Sequence, residues 1–241
     1  MSNIPKSPGY NGSKFASGSY QQIINLFPIH DVYIEGFLGS GAIWKIKKPS
    51  KFNYAFEINQ DVISRFFPLP AADVYNYDFL NWLLLASPFI NMCTGMNLKV
   101  LMYLDPPYLK SSRKSQKNLY AFEFQENLHI KLLSLVRNIN CYVVISCYDC
   151  SLYSKMLTGW NKINYQSKIR CGTATETLYY NFPSDSPKHQ YDFLGSNFRE
   201  RAKIKNKVGR SITKLLKLPA AERNWILSEV ALKMNMGNDS C

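Results

Sequence analysis

Short, unbroken apolar runs alternate along this chain with longer stretches whose apolar residues recur every three to four positions, the pattern of strands separated by helices. Residues 19–27, Ser-Tyr-Gln-Gln-Ile-Ile-Asn-Leu-Phe, have helical spacing and end at Pro28. Residues 32–35 read as a strand that opens into a glycine-bearing turn at 36–42, and 43–48 as a helix stopped by Pro49. The pattern continues with a strand over 53–58, a helix over 62–67, an extended segment at 73–77 and a helix over 78–86 capped by Asp78. Val100-Leu101-Met102-Tyr103-Leu104 is apolar throughout, as a parallel strand covered on both faces requires. A polar, basic loop follows, then a helix at 126–137, a buried strand at 141–146 and a helical turn at 153–157. Residues 162–167 and 177–182 alternate as the arms of a hairpin joined by 168–176. A basic helix over 197–218 carries Ile204, Val208, Ile212 and Leu215 on one face. The expected fold is α/β and Rossmann-like, with a mostly parallel sheet closed by an antiparallel hairpin; the main domain covers 1–183 and a basic helical extension 184–241.

Charge sharpens this picture. The chain has 241 residues, 46% of them hydrophobic, enough for one sizeable core, and a formal net charge of +12 that attracts polyanions, with nucleic acid the default partner. No apolar run is long enough to span a bilayer, and residues 1–12 lack the hydrophobic core of a signal peptide, so a cytoplasmic protein without membrane association is expected. Cys93, Cys141, Cys147, Cys150, Cys171 and Cys241 follow no metal-ligand spacing; they are expected to be reduced and structural, and no metal is expected. His30, His129 and His189 are assigned structural or surface roles.

Asp105-Pro106-Pro107-Tyr108 directly follows the apolar run at 100–104. At the carboxyl end of a parallel strand, where α/β sheets bind ligands, the prolines end both ladder and helix and leave a carboxylate, a carbonyl and an aromatic ring together. Gly39-Ser40-Gly41 lets a ligand approach backbone closely. Trp44 stands where the dinucleotide fingerprint needs its third glycine, and no Gly-Lys-Ser/Thr loop exists, so a ligand without a pyrophosphate fits better. Glu57 is either a surface acid or an acceptor for ribose hydroxyls, and Asp78 either a helix cap or a partner of an adenine amino group. Their placement at successive strand ends favours a nucleoside ligand.

The order of these features resembles the DNA adenine methyltransferases of the Dam-like class, in a short version common in phages and prophages. The resemblance rests on Tyr33-Ile34-Glu35-Gly36-Phe37-Leu38-Gly39-Ser40-Gly41-Ala42, on the Asp105 tetrad, and on Arg170-Cys171-Gly172-Thr173-Ala174-Thr175-Glu176, and it runs from about Gly12 to Leu218. It implies S-adenosylmethionine as cofactor, with the methionine portion against Phe37, Gly39, Ser40 and Gly41, Glu35 near its amino group, Glu57 on the ribose, Asp78 on the adenine, and Lys14 in the amino-terminal cofactor motif. Gly36 stands where the family usually has proline, and Asn11 where it often has proline before glycine.

It further implies methylation of adenine N6. Asp105 and the Pro106 carbonyl would accept both hydrogens of the amino group, while Tyr108 stacks on a base flipped out of the duplex. Larger members insert a recognition domain between the cofactor motifs and the tetrad, and here no room for one exists. Recognition of double-stranded DNA would fall to the loop at 109–125, through Lys110, Arg113, Lys114, Gln116 and Lys117, with Arg170 and Thr173 of the hairpin as secondary contacts; the loop also reads as solvated surface. The basic run at 199–217 is either a solvated helix face or a phosphate-binding one. A monomer or weak dimer is expected. Methylation of cytosine N4, methylation of adenine in RNA, and a catalytically inactive DNA-binding protein are the alternatives; a role in phage or host DNA modification, with or without a restriction partner, fits the resemblance.

Overall fold

A computed structural model describes residues 9–10, 12–15, 18–67, 73–113, 120–169 and 172–236. The chain divides into two compact units, residues 1–193 and 194–241.

In the first unit the elements follow in the order α1 (Ser19–Leu26), β1 (Val32–Gly36), α2 (Ala42–Ile46), β2 (Phe52–Glu57), α3 (Gln60–Phe66), β3 (Val74–Asn76), α4 (Phe79–Leu84), α5 (Ser87–Gly95) and β4 (Val100–Leu104). A short 3₁₀ turn at Lys110–Ser112 leads to α6 (Glu126–Arg137), β5 (Tyr142–Cys147), α7 (Ser151–Met156), β6 (Asn161–Ile169) and β7 (Gly172–Tyr180). The second unit contains α8 (Phe198–Leu216) and α9 (Ala220–Met236).

The seven strands form one sheet in the order β3-β2-β1-β4-β5-β7-β6. β1 pairs in parallel with β2 and β4, β2 with β3, and β4 with β5, whereas β7 runs antiparallel to both β5 and β6. This is the Rossmann-like α/β arrangement expected from the alternation of elements, a mostly parallel sheet closed by an antiparallel hairpin. The direction of strand order reverses between β1 and β4, and in such sheets the crevice outside that reversal receives the ligand.

The unbroken apolar runs have a direct cause, since both faces of the sheet are covered. Val32, Ile34, Met102, Leu104, Val143 and Ile145 face one core, packed with Leu80, Leu83, Ile90, Leu132 and Val136 of the helices. Their neighbours Tyr33, Leu101, Tyr103 and Val144 face the other, with Ile23, Ile24 and Phe27. The period of two along each strand sorts residues between the cores.

Three differences from the sequence reading have physical causes. The hairpin arms are longer than expected and pair from Asn161↔Tyr180 to Ile169↔Gly172, so most of the segment read as a connection is strand. Helices α5 and α9 were not anticipated; Ser87-Pro88 opens α5 with proline in the first turn, where its missing N–H costs nothing. The stretch after residue 183 also belongs with the first unit: Ile29 N–H donates to the Pro187 carbonyl, His189 N–H to that of Phe27, and the Asn25 amide to that of Phe193.

Candidate active site

The parallel strands end together. Gly36 is in register with Phe56 and Leu104, and Leu104 with Ile145, so Glu35, Glu57, Asp105 and Ser146 emerge along one edge of the sheet. A cavity of ≈ 270 Å³ opens there, lined among others by Glu35, Phe37, Gly39, Ser40, Glu57 and Asp78. Lys14, Asp105, Pro107 and the segment from Tyr120 to Phe124 complete its wall.

The turn after β1 is held tightly. Phe37 lies in the left-handed region at φ 63, and Gly41 caps α2 at φ 65. Leu38 N–H donates to the Phe56 carbonyl and Gly39 N–H to Glu57 Oε2 at 2.8 Å, while Glu57 Oε1 accepts from Asn59 N–H at 2.9 Å. Both carboxylate oxygens are thereby oriented by backbone. The glycine at 36 has a steric reason: a Cβ there would come 2.7 Å from the Phe79 ring. Asp78 caps α4, its Oδ1 accepting from Leu80 N–H at 2.8 Å, and the residue also lines the cavity.

Glu35 is buried, with Oε2 accepting from the Tyr33 hydroxyl at 2.8 Å. Burial is the main reason its carboxyl is pushed up to about 8, outweighing the Tyr33 hydrogen bond. Glu57 is likewise raised by burial, against the opposing effect of its backbone donors.

Across the cavity, the tetrad is tied into a buried network. Lys14 Nζ lies 3.2 Å from Asp105 Oδ1 and 3.0 Å from Glu176 Oε2, and donates to the Tyr108 hydroxyl at 2.5 Å. Tyr108 in turn donates to Glu176 Oε2 at 2.7 Å, its hydroxyl is 2.9 Å from Ser146 Oγ, and the Tyr165 hydroxyl donates to the same Glu176 oxygen at 2.8 Å. Glu176 is held down at about 2 despite its burial, chiefly by Lys14. Asp105 is raised by burial to about 6, with Lys14 opposing.

The Tyr108 ring is buried, with Tyr148 edge-on at 4.6 Å and Lys14 Nζ 4.7 Å from its centroid. It faces the network rather than the open cavity. Arg113 is also buried, its guanidinium paired with Glu123 at 2.6 Å and 3.3 Å, so in this conformation it braces the loop. Lys110 and Thr173 are exposed. Lys114, Gln116, Lys117 and Arg170 lie outside the described residues.

The sequence reading missed Tyr10, Asn59, Tyr120, Ser146, Tyr165 and the network role of Glu176. Tyr10 and Tyr120 line the cavity, and burial raises the Tyr120 hydroxyl to about 12. Among the described residues, no group of three or more potential metal ligands gathers, and no helix is long and apolar enough to cross a membrane. Cys93, Cys141, Cys147 and Cys150 carry free thiols.

The donor set suits a cation. In a chain of formal charge +12, Glu35, Glu57, Asp78 and Asp105 line one cavity with Lys14, and Lys14 is already paired. A ligand with an ammonium and a sulfonium would meet acids there, and its hydroxyls would meet the oriented Glu57.

No family model and no curated protein matches the chain. Solved structures do resemble it. The product of gene MT0146 of Methanobacterium thermoautotrophicum, described as a precorrin 8W decarboxylase, is 13% identical, with a TM-score of 0.42 over 75% of this chain and 97% of that one. The N-methyltransferase NodS of Bradyrhizobium japonicum WM9 is 10% identical, with a TM-score of 0.44 over 67% of this chain and 93% of that one. An rRNA methylase of Streptococcus thermophilus is 10% identical, with a TM-score of 0.38 over 71% and 95%.

Proposed function

We propose that this chain is an S-adenosylmethionine-dependent methyltransferase acting on the N6 amino group of an adenine displaced from double-stranded DNA. The observation that carries the proposal is the pairing, across adjacent in-register strands at the sheet's switch point, of an acid-lined cavity with the Asp105-Pro106-Pro107-Tyr108 turn. Glu35 takes the cofactor's ammonium, Glu57 its ribose hydroxyls and Asp78 its adenine, with Phe37 to Gly41 against the methionine portion. When bound, S-adenosylmethionine supplies an electrophilic methyl group on sulfonium.

The rest is the work of this chain's own residues. An exocyclic amino group is a poor nucleophile because its lone pair is delocalised into the ring. The Asp105 carboxylate and the Pro106 carbonyl accept its two hydrogens and localise that pair. With its carboxyl near 6, Asp105 is ionised at neutral pH yet basic enough to take the proton that the amino group sheds. Lys14, Glu176 and Ser146 hold the Tyr108 end of the turn in place, so the acceptors need no reorganisation when substrate arrives. Stacking of a flipped base on Tyr108, worth about 1–3 kcal/mol, requires its ring, covered here by Lys14 and Tyr148, to be uncovered as the base enters.

The test is transfer of labelled methyl from S-adenosylmethionine to unmethylated genomic DNA, followed by nucleoside analysis. The expected product is N6-methyladenine, with Asp105→Ala reducing transfer about 10²- to 10³-fold and leaving cofactor affinity unchanged. Label in N4-methylcytosine, or label on RNA with none on DNA, would overturn the substrate. Absence of cofactor binding would overturn the enzyme.

A further inference from the structure

Helix α8 is more ordered in its chemistry than a basic run requires. Its start is capped: Asn197 Oδ1 accepts from Glu200 N–H at 3.0 Å, and Ser196 N–H donates to Glu200 Oε2 at 2.8 Å. From there Arg199, Lys203, Lys207, Arg210, Lys214 and the C-capping Lys217 recur at spacings of four and three residues. At the α-helical 100° per residue these six fall within an arc of about 80°. Ile204, Val208, Ile212 and Leu215 fall within another arc of about 80°, centred about 140° away. All six basic residues are exposed, and among the described residues no carboxylate stands within ion-pair distance of any of them. Their positions extend over about 27 Å of helix axis.

Six like charges in one row repel one another, and among the described residues no carboxylate stands within ion-pair distance to offset them. We infer that this face of α8 is a phosphate-binding surface for double-stranded DNA, separate from the cavity of the first unit. Charge complementarity selects the occupant: a duplex carries one charge per about 1.7 Å of its axis, so a straight row of cations this long meets several phosphates at once. A second copy of the chain would bring cations against cations. On a lipid surface the helix would bury its apolar stripe, and the basic arc, lying nearly opposite, would point away from the headgroups. The surface reads no sequence, because phosphate contacts position a protein without specifying bases. DNA as the polyanion rests on the function proposed above, whereas the row and its arc do not.

The experiment measures affinity of the full chain for a random-sequence duplex, several helical turns long, across a salt series without cofactor. A variant carrying Lys203→Gln, Lys207→Gln, Arg210→Gln and Lys214→Gln keeps good helix formers throughout, and circular dichroism checks that helicity is retained. A control carrying Lys205→Gln and Lys233→Gln removes charge elsewhere in the same unit. The slope of log affinity against log salt is expected to become shallower by about 3 to 4 in the first variant, near 0.9 per lost contact, and to stay unchanged in the control. An unchanged slope in the first variant, or an equal loss per charge in both, overturns the inference. So does loss of binding to anionic phosphatidylserine vesicles in the first variant with its DNA slope intact. Methyl transfer assayed on the same proteins separates the two proposals: a slope change without transfer to DNA refutes only the enzyme reading, and transfer with an unchanged slope refutes only this one.

Discussion

Two buried acids on the same sheet edge meet opposite fates, and the difference divides the site into a finished half and a waiting half. Glu176 collects hydrogens from Lys14, Tyr108 and Tyr165 on one oxygen and is held at about 2. Glu35 accepts from the Tyr33 hydroxyl and is driven by burial to about 8. Desolvation acts on both; what separates them is a partner cation. Around Glu176 the chain supplies that cation itself, and the product is a turn at 105–108 tied down by buried hydrogen bonds. Around Glu35, among the described residues, Lys47 and Lys45 act on the acid but no cation stands within ion-pair distance of it, as a pocket for a positively charged ligand should have it.

The largest effect should come from breaking the finished half. Glu176→Ala leaves the Lys14 ammonium with Asp105 alone in a buried site, and a loss of about 3–5 kcal/mol in chemical denaturation is expected. Breaking the waiting half should do the reverse. Glu35→Gln removes a buried ionisable group, so thermal stability at neutral pH is expected to rise while S-adenosylmethionine affinity falls about tenfold or more, the cost of a lost charge-assisted hydrogen bond.

The pH dependence of stability sharpens the same comparison, because the two acids contribute with opposite sign. A folded-state value below the ordinary 4.5 means that Glu176 adds stability above that pH, and this is lost as pH falls through about 2. A folded-state value above the ordinary 4.5 means that Glu35 adds stability below that pH, and this is lost as pH rises through about 8. Thermal midpoints measured from acid to neutral pH are expected to rise and then fall, with Glu35→Gln flattening the descending limb. The smallest of these effects is local: Gly36→Ala puts a methyl against the Phe79 ring, and about 1–3 kcal/mol of destabilisation is expected from equilibrium unfolding.

The waiting half was the more legible part of the site in the sequence. Glu35, Glu57 and Asp78 each sit at or just after the end of a strand run, and a strand's end is local information. The finished half was not legible, because Glu176 lies 162 positions from Lys14 and 68 from Tyr108, and nothing in the alternation of β7 marks one acid among its polar residues. Arg113 illustrates a similar limit: a basic residue in a polar loop reads as a DNA contact, whereas its pairing with Glu123, ten positions on, is not visible in the sequence. In the fold, a mostly parallel sheet followed from alternation, whereas the weakly apolar region at 167–175 obscured how far the hairpin extends. Helix α9 escaped because its apolar residues Trp225, Ile226, Leu227, Val230 and Leu232 gather on no single face.

The most direct test of the waiting half is calorimetric titration of S-adenosylmethionine at neutral pH in buffers of different ionisation enthalpy, with wild type and Glu35→Gln side by side. Wild type is expected to release a proton from Glu35 as the ligand's ammonium arrives and to bind more tightly as pH rises from about 6 to about 8, and both effects are expected to vanish in Glu35→Gln. Binding with no proton release, or no binding at all, would contradict this expectation.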